Sequence, residues 1–374
     1  MLKIINVAGA RPNFMKVAPL VEAMNRRRAD FRSILVHTGQ HYDAMMSEAF
    51  FRDLELPEPD IDLGVGSSSH AVQTAEVIRA FEPYVVAEKP DWVLVVGDVN
   101  STVACALVCA KLNVKVAHVE AGLRSRDRRM PEEINRVLTD QIADLLLTPS
   151  RDADANLLAE GIPQERIRFV GNIMIDSLLK HLPLASKSTI RETIGLDKQD
   201  YAVLTLHRPS NVDELQTFSG ILDALEEIGR RLPVVFPVHP RTLKMIAELG
   251  LEERAARTNV RLTVPLGYSD FLQLLSGARL VLTDSGGIQE ETTVLKIPCI
   301  TLRENTERPI TVEHGTNTIA GTDPARVVAA ANQALDNPPD QSALMTPELW
   351  DGHAADRILD ALIERTAQIK RISA

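Results

Sequence analysis

Short apolar runs rich in Val and Ile, separated by stretches of helical periodicity, constrain this chain more than any other feature. In the first half they lie at 4–8, 33–37, 92–96, 114–118, 145–148 and 167–170. A strand covered on both faces reads as a continuous apolar run, whereas a half-exposed strand alternates. Helical patterns at 15–25 and 103–112 fall between the runs. Strand and helix in alternation predict a parallel sheet with helical crossovers.

The pattern then restarts at 201–206, 233–238, 260–263, 280–283, 299–301 and 318–320, with helical stretches such as 217–231 and 269–275. A length of 374 residues suits two such units at roughly 100–200 residues each. The expected fold class is α/β, with two Rossmann-like doubly wound domains facing a cleft. Their expected extents are 1–172 and 173–353, joined near 171–188, where Pro183 and Ser186-Lys187-Ser188 dilute the pattern. An amphipathic helix pattern at about 354–374 is expected to pack back on the first domain. Ligands of open α/β sheets bind beyond the carboxyl ends of the strands, so residues just after strands are the candidates.

With 45% hydrophobic and 25% charged residues the composition is that of an ordinary globular protein. A net charge of −10 argues against nucleic acid and anionic membrane surfaces as partners, so any anionic ligand needs a local basic cluster. Met1-Leu2-Lys3 runs straight into Ile4-Ile5, and no apolar run reaches membrane-spanning length; a cytoplasmic location is expected. Cys105, Cys109 and Cys299 sit in apolar segments without metal or redox spacing and read as core.

Two segments suit an anion. Gly9-Ala10-Arg11-Pro12-Asn13-Phe14-Met15-Lys16 is a strand-loop-helix entry in which Arg11 and Lys16 either meet a ligand or are surface charges. In Asp284-Ser285-Gly286-Gly287-Ile288-Gln289-Glu290-Glu291 a strand gives way to two glycines and a helix start. Ser285 is expected to cap the helix, its amides to meet phosphate, and Glu291 to accept from ribose hydroxyls. Arg308, after the strand at 299–301, is expected to close over the same ligand or to be one of a surface ion-pair cluster.

Acid–base candidates stand at strand ends. Asp98 and Glu120 each follow an apolar run, and Glu132 opens a helix, where a carboxylate also suits the dipole. His207 and His239 each follow a strand, positions open to phosphate binding, proton transfer or a structural imidazole. His37 and His41 have a metal-like spacing, but Thr38-Gly39 breaks the helix such a pair needs, so no metal site is expected.

Taken in order along nearly the whole chain, the segments at 9–16, 37–41, 97–102, 118–124, 131–136, 207–208, 284–291 and 303–309 resemble the UDP-N-acetylglucosamine 2-epimerases. The resemblance implies the two-domain glycosyltransferase GT-B architecture, with the second domain binding UDP. It also implies an isomerase that inverts C2 of the sugar without cofactor or metal, by eliminating UDP to a 2-acetamidoglucal and re-adding it. Asp98, Glu120, Glu132 and His207 then occupy the catalytic positions. Arg11, Lys16, Arg136, Phe271, Ser285, Gly286, Gly287, Glu291 and Arg308 are expected to hold UDP. Gln40 and His41 match a segment that binds an activating UDP-sugar in some bacterial members. A cytoplasmic homodimer serving cell-surface polysaccharide biosynthesis is implied as well.

The chemistry accounts for the residue types. C2–H is not adjacent to a carbonyl, so its removal must be coupled to departure of UDP, and inversion needs proton-transfer groups on both faces. Asp98 and Glu132 are expected to be that pair, Glu120 to orient or stabilise, and His207 to bind the departing phosphate. Asn13-Phe14 stands where many members have Glu-Ala, as in relatives acting on UDP-diacetamido-uronic acids. The alternatives are a 2-epimerase of such a sugar, a hydrolysing 2-epimerase, a GT-B glycosyltransferase and a non-catalytic nucleotide-sugar sensor.

Overall fold

Apolar residues fill the strands of both halves of the chain, and every described strand pairing is parallel. The computed structural model describes residues 1–39, 54–196, 198–238, 240–257, 259–340 and 344–372. Two units emerge, Met1–Leu179 with Glu348–Ala374, and Lys180–Pro347.

In the first unit the strands are β1 (Leu2–Ala8), β2 (Phe31–His37), β3 (Ile61–Asp62), β4 (Trp92–Val96), β5 (Lys115–Val119), β6 (Leu145–Thr148) and β7 (Ile167–Phe169). Their order is β3-β2-β1-β4-β5-β6-β7. The order reverses direction between β1 and β4, the switch point where ligands of doubly wound sheets bind. β4 and β6 are buried throughout, which is why they read as unbroken apolar runs. The helix His70–Glu88 is poorly marked in sequence. It buries a single stripe of Gln73, Val77, Phe81 and Val85, while Val72, Tyr84 and Val86 face outward and blur the period.

The second unit contains β8 (Ala202–Thr205), β9 (Val234–Pro237), β10 (Val260–Thr263), β11 (Leu280–Thr283), β12 (Cys299–Thr301) and β13 (Asn317–Ile319). Their order, β10-β9-β8-β11-β12-β13, puts the reversal between β8 and β11. Strand periodicity divides its core in two. Ala202, Leu204, Leu280 and Leu282 face one cluster with the helix Leu215–Gly229, and Val203 and Val281 face another with the helix Tyr268–Ser276.

Residues 173–179, which the sequence reading groups with the second domain, are tied to the first unit. Ser177 donates to the carbonyl of Met15, and Asp176 accepts the amides of Ala354 (3.1 Å) and Ala355 (2.8 Å). The helix Ala354–Ile372 that begins there lies against the helix Arg11–Arg26. Arg27–Asp360 (2.7 Å), Arg26–Asp356 (3.3 Å) and a bond from Trp92 Nε1 to Thr366 (2.8 Å) hold it, and Ile358, Leu359 and Leu362 are buried.

Burial pushes the Asp176 carboxyl up to about 6, and the two amides and Arg357 offset only part of that cost. Asp176→Ala leaves two N–H groups of a helix start without an acceptor, a loss of about 1–3 kcal/mol. Thermal unfolding is expected to show a Tm lower by several degrees, and an unchanged Tm would remove Asp176 as an anchor of the terminal helix.

Candidate active-site residues in two sets

The first set gathers at the carboxyl edge of the first sheet. Asn13 stitches the edge together: its Oδ1 accepts from the amide of Ala10 (3.0 Å), and its Nδ2 donates to the carbonyl of Val96 at the end of β4 (2.9 Å). Beside it, Lys16 is buried and forms an ion pair with Glu120 just after β5. Glu120 has φ of 70°, a left-handed conformation that strains a residue with a Cβ. Gly97, after β4, has φ of +67°, and a Cβ there would stand 3.3 Å from both Glu120 Oε2 and Lys16 Nζ. The positive φ favours glycine, and a Cβ would crowd that pair.

Asp98 follows, half-buried. Arg136, buried on the helix Pro131–Ile142, reaches its Oδ2 at 2.8 Å and 3.0 Å, and Asn135 Nδ2 donates to its carbonyl at 2.9 Å. Glu133 holds Arg136 from the other side and also accepts the amides of Ser125 (2.9 Å) and Arg126 (2.8 Å). Burial raises the Glu133 carboxyl, but those amides and Arg136 outweigh it and bring it below the ordinary range. Glu132 is half-buried in the first turn and has no hydrogen-bond partner among the described residues. Beneath the edge, His118 is buried with Nε2 on the carbonyl of Gly97 (2.8 Å) and Nδ1 on Asp140 (2.6 Å), and Arg124 joins Asp140 (2.7 Å) to Glu160 (2.7 Å).

The second set surrounds the reversal in the other sheet. Thr205 and Thr283 end β8 and β11 in register and share a hydroxyl bond of 2.6 Å. Asp284 is fully buried, with Oδ1 2.7 Å from Nδ1 of His207, while the His207 side chain is 58% exposed. Burial pulls the Asp284 carboxyl up, but His207 and the amides of 207 and 208 more than reverse this and hold it below the ordinary range. Ser285 occupies the N-cap position of the helix Gly286–Leu295 with extended backbone, but its side chain makes no capping bond. The expectation of a Ser285 cap is therefore corrected: Thr283 Oγ1 instead accepts the Ser285 amide at 3.0 Å. The amides of Gly286, Gly287 and Ile288 have no acceptor among the described residues, the usual state of a helix start awaiting an anion.

Over that helix start lies Arg308, paired with Glu290 (2.6 Å) and Glu307 (2.6 Å). A Cβ on Gly286 would collide with both Arg308 and Glu307, so the glycine admits the guanidinium. Glu307 also binds Arg303 at 2.7 Å and lies 4.0 Å from Arg208, so three guanidinium groups meet Glu290 and Glu307, with Asp284 a third carboxylate beside the Arg208 backbone. Glu291 is buried, with Oε1 accepting from Tyr268 (3.0 Å) and Oε2 without a partner. Burial, with Glu290 nearby, pushes its carboxyl up to about 7 although Tyr268 pulls the other way. Phe271 packs half-buried against the core of this unit, and Arg11 is the first residue of its helix. Gln40, His41 and His239 lie outside the described residues. Among the described residues no group of three His, Cys, Asp or Glu forms a metal-binding cluster, and no helix is long and apolar enough to cross a membrane.

The model of the UDP-N-acetylglucosamine 2-epimerase family matches residues 23–363. The chain belongs to the UDP-N-acetylglucosamine 2-epimerase family. A UDP-N-acetylglucosamine 2-epimerase homolog of Methanococcus maripaludis is 43% identical over 96% of this chain and 99% of its own. A UDP-2,3-diacetamido-2,3-dideoxy-D-glucuronate 2-epimerase of Pseudomonas aeruginosa is 42% identical over 89% of this chain and 92% of its own. The crystal structure of the Methanocaldococcus jannaschii UDP-GlcNAc 2-epimerase, in complex with UDP-GlcNAc and UDP, superposes with a TM-score of 0.90. It has 40% identity and covers 97% of this chain and 100% of that one.

For a member of this family the sequence left several residues unmarked. Glu133 carries a bond network of its own, and its spacing of three to Arg136 was the available signal. Asp284, Tyr268 and Asp140 act on other residues through tertiary contacts that no local spacing reveals.

Glu291 supplies a pH test. Burial pushes its carboxyl up to about 7 in the folded chain from an ordinary 4.5. The unfolded chain thus loses the proton first, and stability present below about 4.5 is lost as pH rises through about 7. Glu291→Gln is expected to flatten that part of the stability curve, measured by thermal unfolding between pH 5 and 8; an unchanged slope would show that Glu291 does not hold its proton.

Proposed function

We propose that the chain is a non-hydrolysing 2-epimerase that interconverts UDP-GlcNAc and UDP-ManNAc. The observation that supports it best is the pair of carboxylates after adjacent strands, Asp98 and Glu120, each with its own buried cation, Arg136 and Lys16. In the proposed reaction one carboxylate takes the C2 proton, the C–H electrons form the C1=C2 bond, and the C1–O electrons leave with UDP. The reverse addition delivers a proton to the opposite face of C2. No electrons are gained or lost overall.

Asp98 and Glu132 act as the proton-transfer pair in this reading, and Glu120, tied to Lys16, offsets positive charge developing at C1. The helix start at Ser285, Gly286 and Gly287, with Arg308 and Arg11, holds the diphosphate, Glu291 meets the ribose through Oε2, and Phe271 offers an apolar edge to the base. His207 meets the departing phosphate. Arg136 and Lys16 pair with the carboxylates and, in the same reading, hold UDP. A cytoplasmic homodimer feeding cell-surface polysaccharide assembly belongs to the same reading and is supported by the family resemblance.

The 42% identity of the Pseudomonas relative favours a second reading, a UDP-diacetamido-glucuronic acid substrate. Asn13 and Phe14, which resemble the first loop of such relatives, also serve the scaffold: Asn13 bonds Val96, and Phe14 is buried against the His37 ring, centroids 5.4 Å apart.

Incubation with UDP-GlcNAc in heavy water is expected to place deuterium at C2 with the product still nucleotide-bound. No deuterium would sink the epimerase reading, free N-acetylmannosamine would turn it into a hydrolysing one, and exchange confined to the uronic acid would select the second substrate. Asp98→Asn is expected to bind UDP normally and to lose about 10²–10⁴ in kcat. Full turnover by that variant would remove Asp98 from proton transfer.

A further inference from the structure

We propose that Asp284 is the positioning residue for His207, holding the ring so that only Nε2 meets the phosphate oxygen that departs from C1. This rests on the epimerase reading for the identity of that oxygen. The pairing itself stands on geometry.

Asp284 divides its two oxygens. Oδ2 accepts the amides of His207 (3.1 Å) and Arg208 (3.0 Å) and the side-chain amide of Asn211 (3.2 Å), and the His207 amide also reaches Oδ1 at 3.2 Å, which fixes the loop after β8. Oδ1 takes Nδ1 of the His207 ring at 2.7 Å. The carboxylate is wholly buried and cannot turn, because the register of β8 and β11 places it beside the loop it binds. The ring it holds is 58% exposed. With Nδ1–H committed to Asp284, Nε2 is the nitrogen left for a ligand.

That arrangement does more than bind phosphate. A ring protonated on both nitrogens donates Nε2–H to the leaving oxygen as the C1–O electrons move onto it, and takes the proton back when the oxygen returns to C1. The buried carboxylate stabilises the imidazolium and fixes which nitrogen is used, as in an acid–base pair with a carboxylate behind it. The charged groups around His207 are Asp284 at the end of β11, Arg208 in its own loop, and Glu307 with its partner Arg308 after β12.

Asp284→Asn separates positioning from stapling. The Asn oxygen continues to accept from the loop amides, whereas its NH₂ donates to Nδ1 and forces the neutral ring to carry its proton on Nε2. Nitrogen NMR of the histidine-labelled protein, without substrate, is expected to show the Nδ1–H form for neutral His207 in the unaltered chain and the Nε2–H form in Asp284→Asn. The same form in both would overturn the pairing. Should Asp284→Asn not fold, the unaltered chain decides alone, since an Nε2–H form there contradicts the proposal.

Kinetics test the consequence. Asp284→Asn is expected to lower kcat by about 10²–10⁴ with KM changed only a few fold. In the His207→Asn background, adding Asp284→Asn is expected to cost no more than about threefold further, because residues acting as a unit are non-additive. A full independent loss in the double variant would show that Asp284 only staples the loop. If the unaltered protein exchanges no deuterium at C2, the epimerase reading falls, and the NMR comparison still decides whether Asp284 sets the ring.

Discussion

In a parallel sheet every strand delivers its carboxyl end to the same edge, and in a doubly wound sheet the connections leave in opposite directions from the first strand and its neighbour. The residues that matter here hang on those facts. In the first unit β1, β4 and β5 end beside one another, so Lys16, Asp98 and Glu120 meet although they are far apart in sequence. In the second, β8 and β11 bring His207 to Asp284 across 77 residues. Remove the register and both sets disperse.

Burying charge is costly, and a lone buried ion is tolerated only when its partners are well placed. The chain answers this locally. Lys16 with Glu120, Arg136 between Asp98 and Glu133, and Arg308 between Glu290 and Glu307 are each compact pairs or triads. They contribute little to stability when compared with apolar residues of the same volume. What they secure is direction, since a carboxylate fixed by a guanidinium offers its remaining lone pairs along one line. Glu291 is the exception, a buried acid with a hydroxyl partner and a raised pKa, as suits a group whose second oxygen waits for a donor.

The sequence made the strands and the motif-bearing loops legible, because burial on both faces writes itself as continuous apolar runs and because Asp98, Glu120, His207 and Ser285 follow such runs directly. It did not show which partners those residues take. Lys16 read as an anion ligand because a cation beside a helix start advertises an anion, and Arg136 was implied as a UDP ligand by the resemblance; the fold adds the carboxylates that each pairs with. Ser285 looked like a cap because serine at that position commonly is one; its side chain makes no capping bond, and its own amide goes to Thr283 Oγ1. The helix His70–Glu88 escaped notice because four buried positions over nineteen residues, one of them Gln73, make a faint stripe.

The left-handed backbone of Glu120 has a consequence for how this chain can vary. Glycine or asparagine would sit there with less strain, so drift at this position runs toward a more stable fold without the carboxylate. A lineage that lost the need for the reaction would be expected to relax here early and to keep its architecture. Under the role proposed for Glu120, the residue at 120 serves as a marker of whether a descendant of this fold still works as an enzyme, readable before any assay is run.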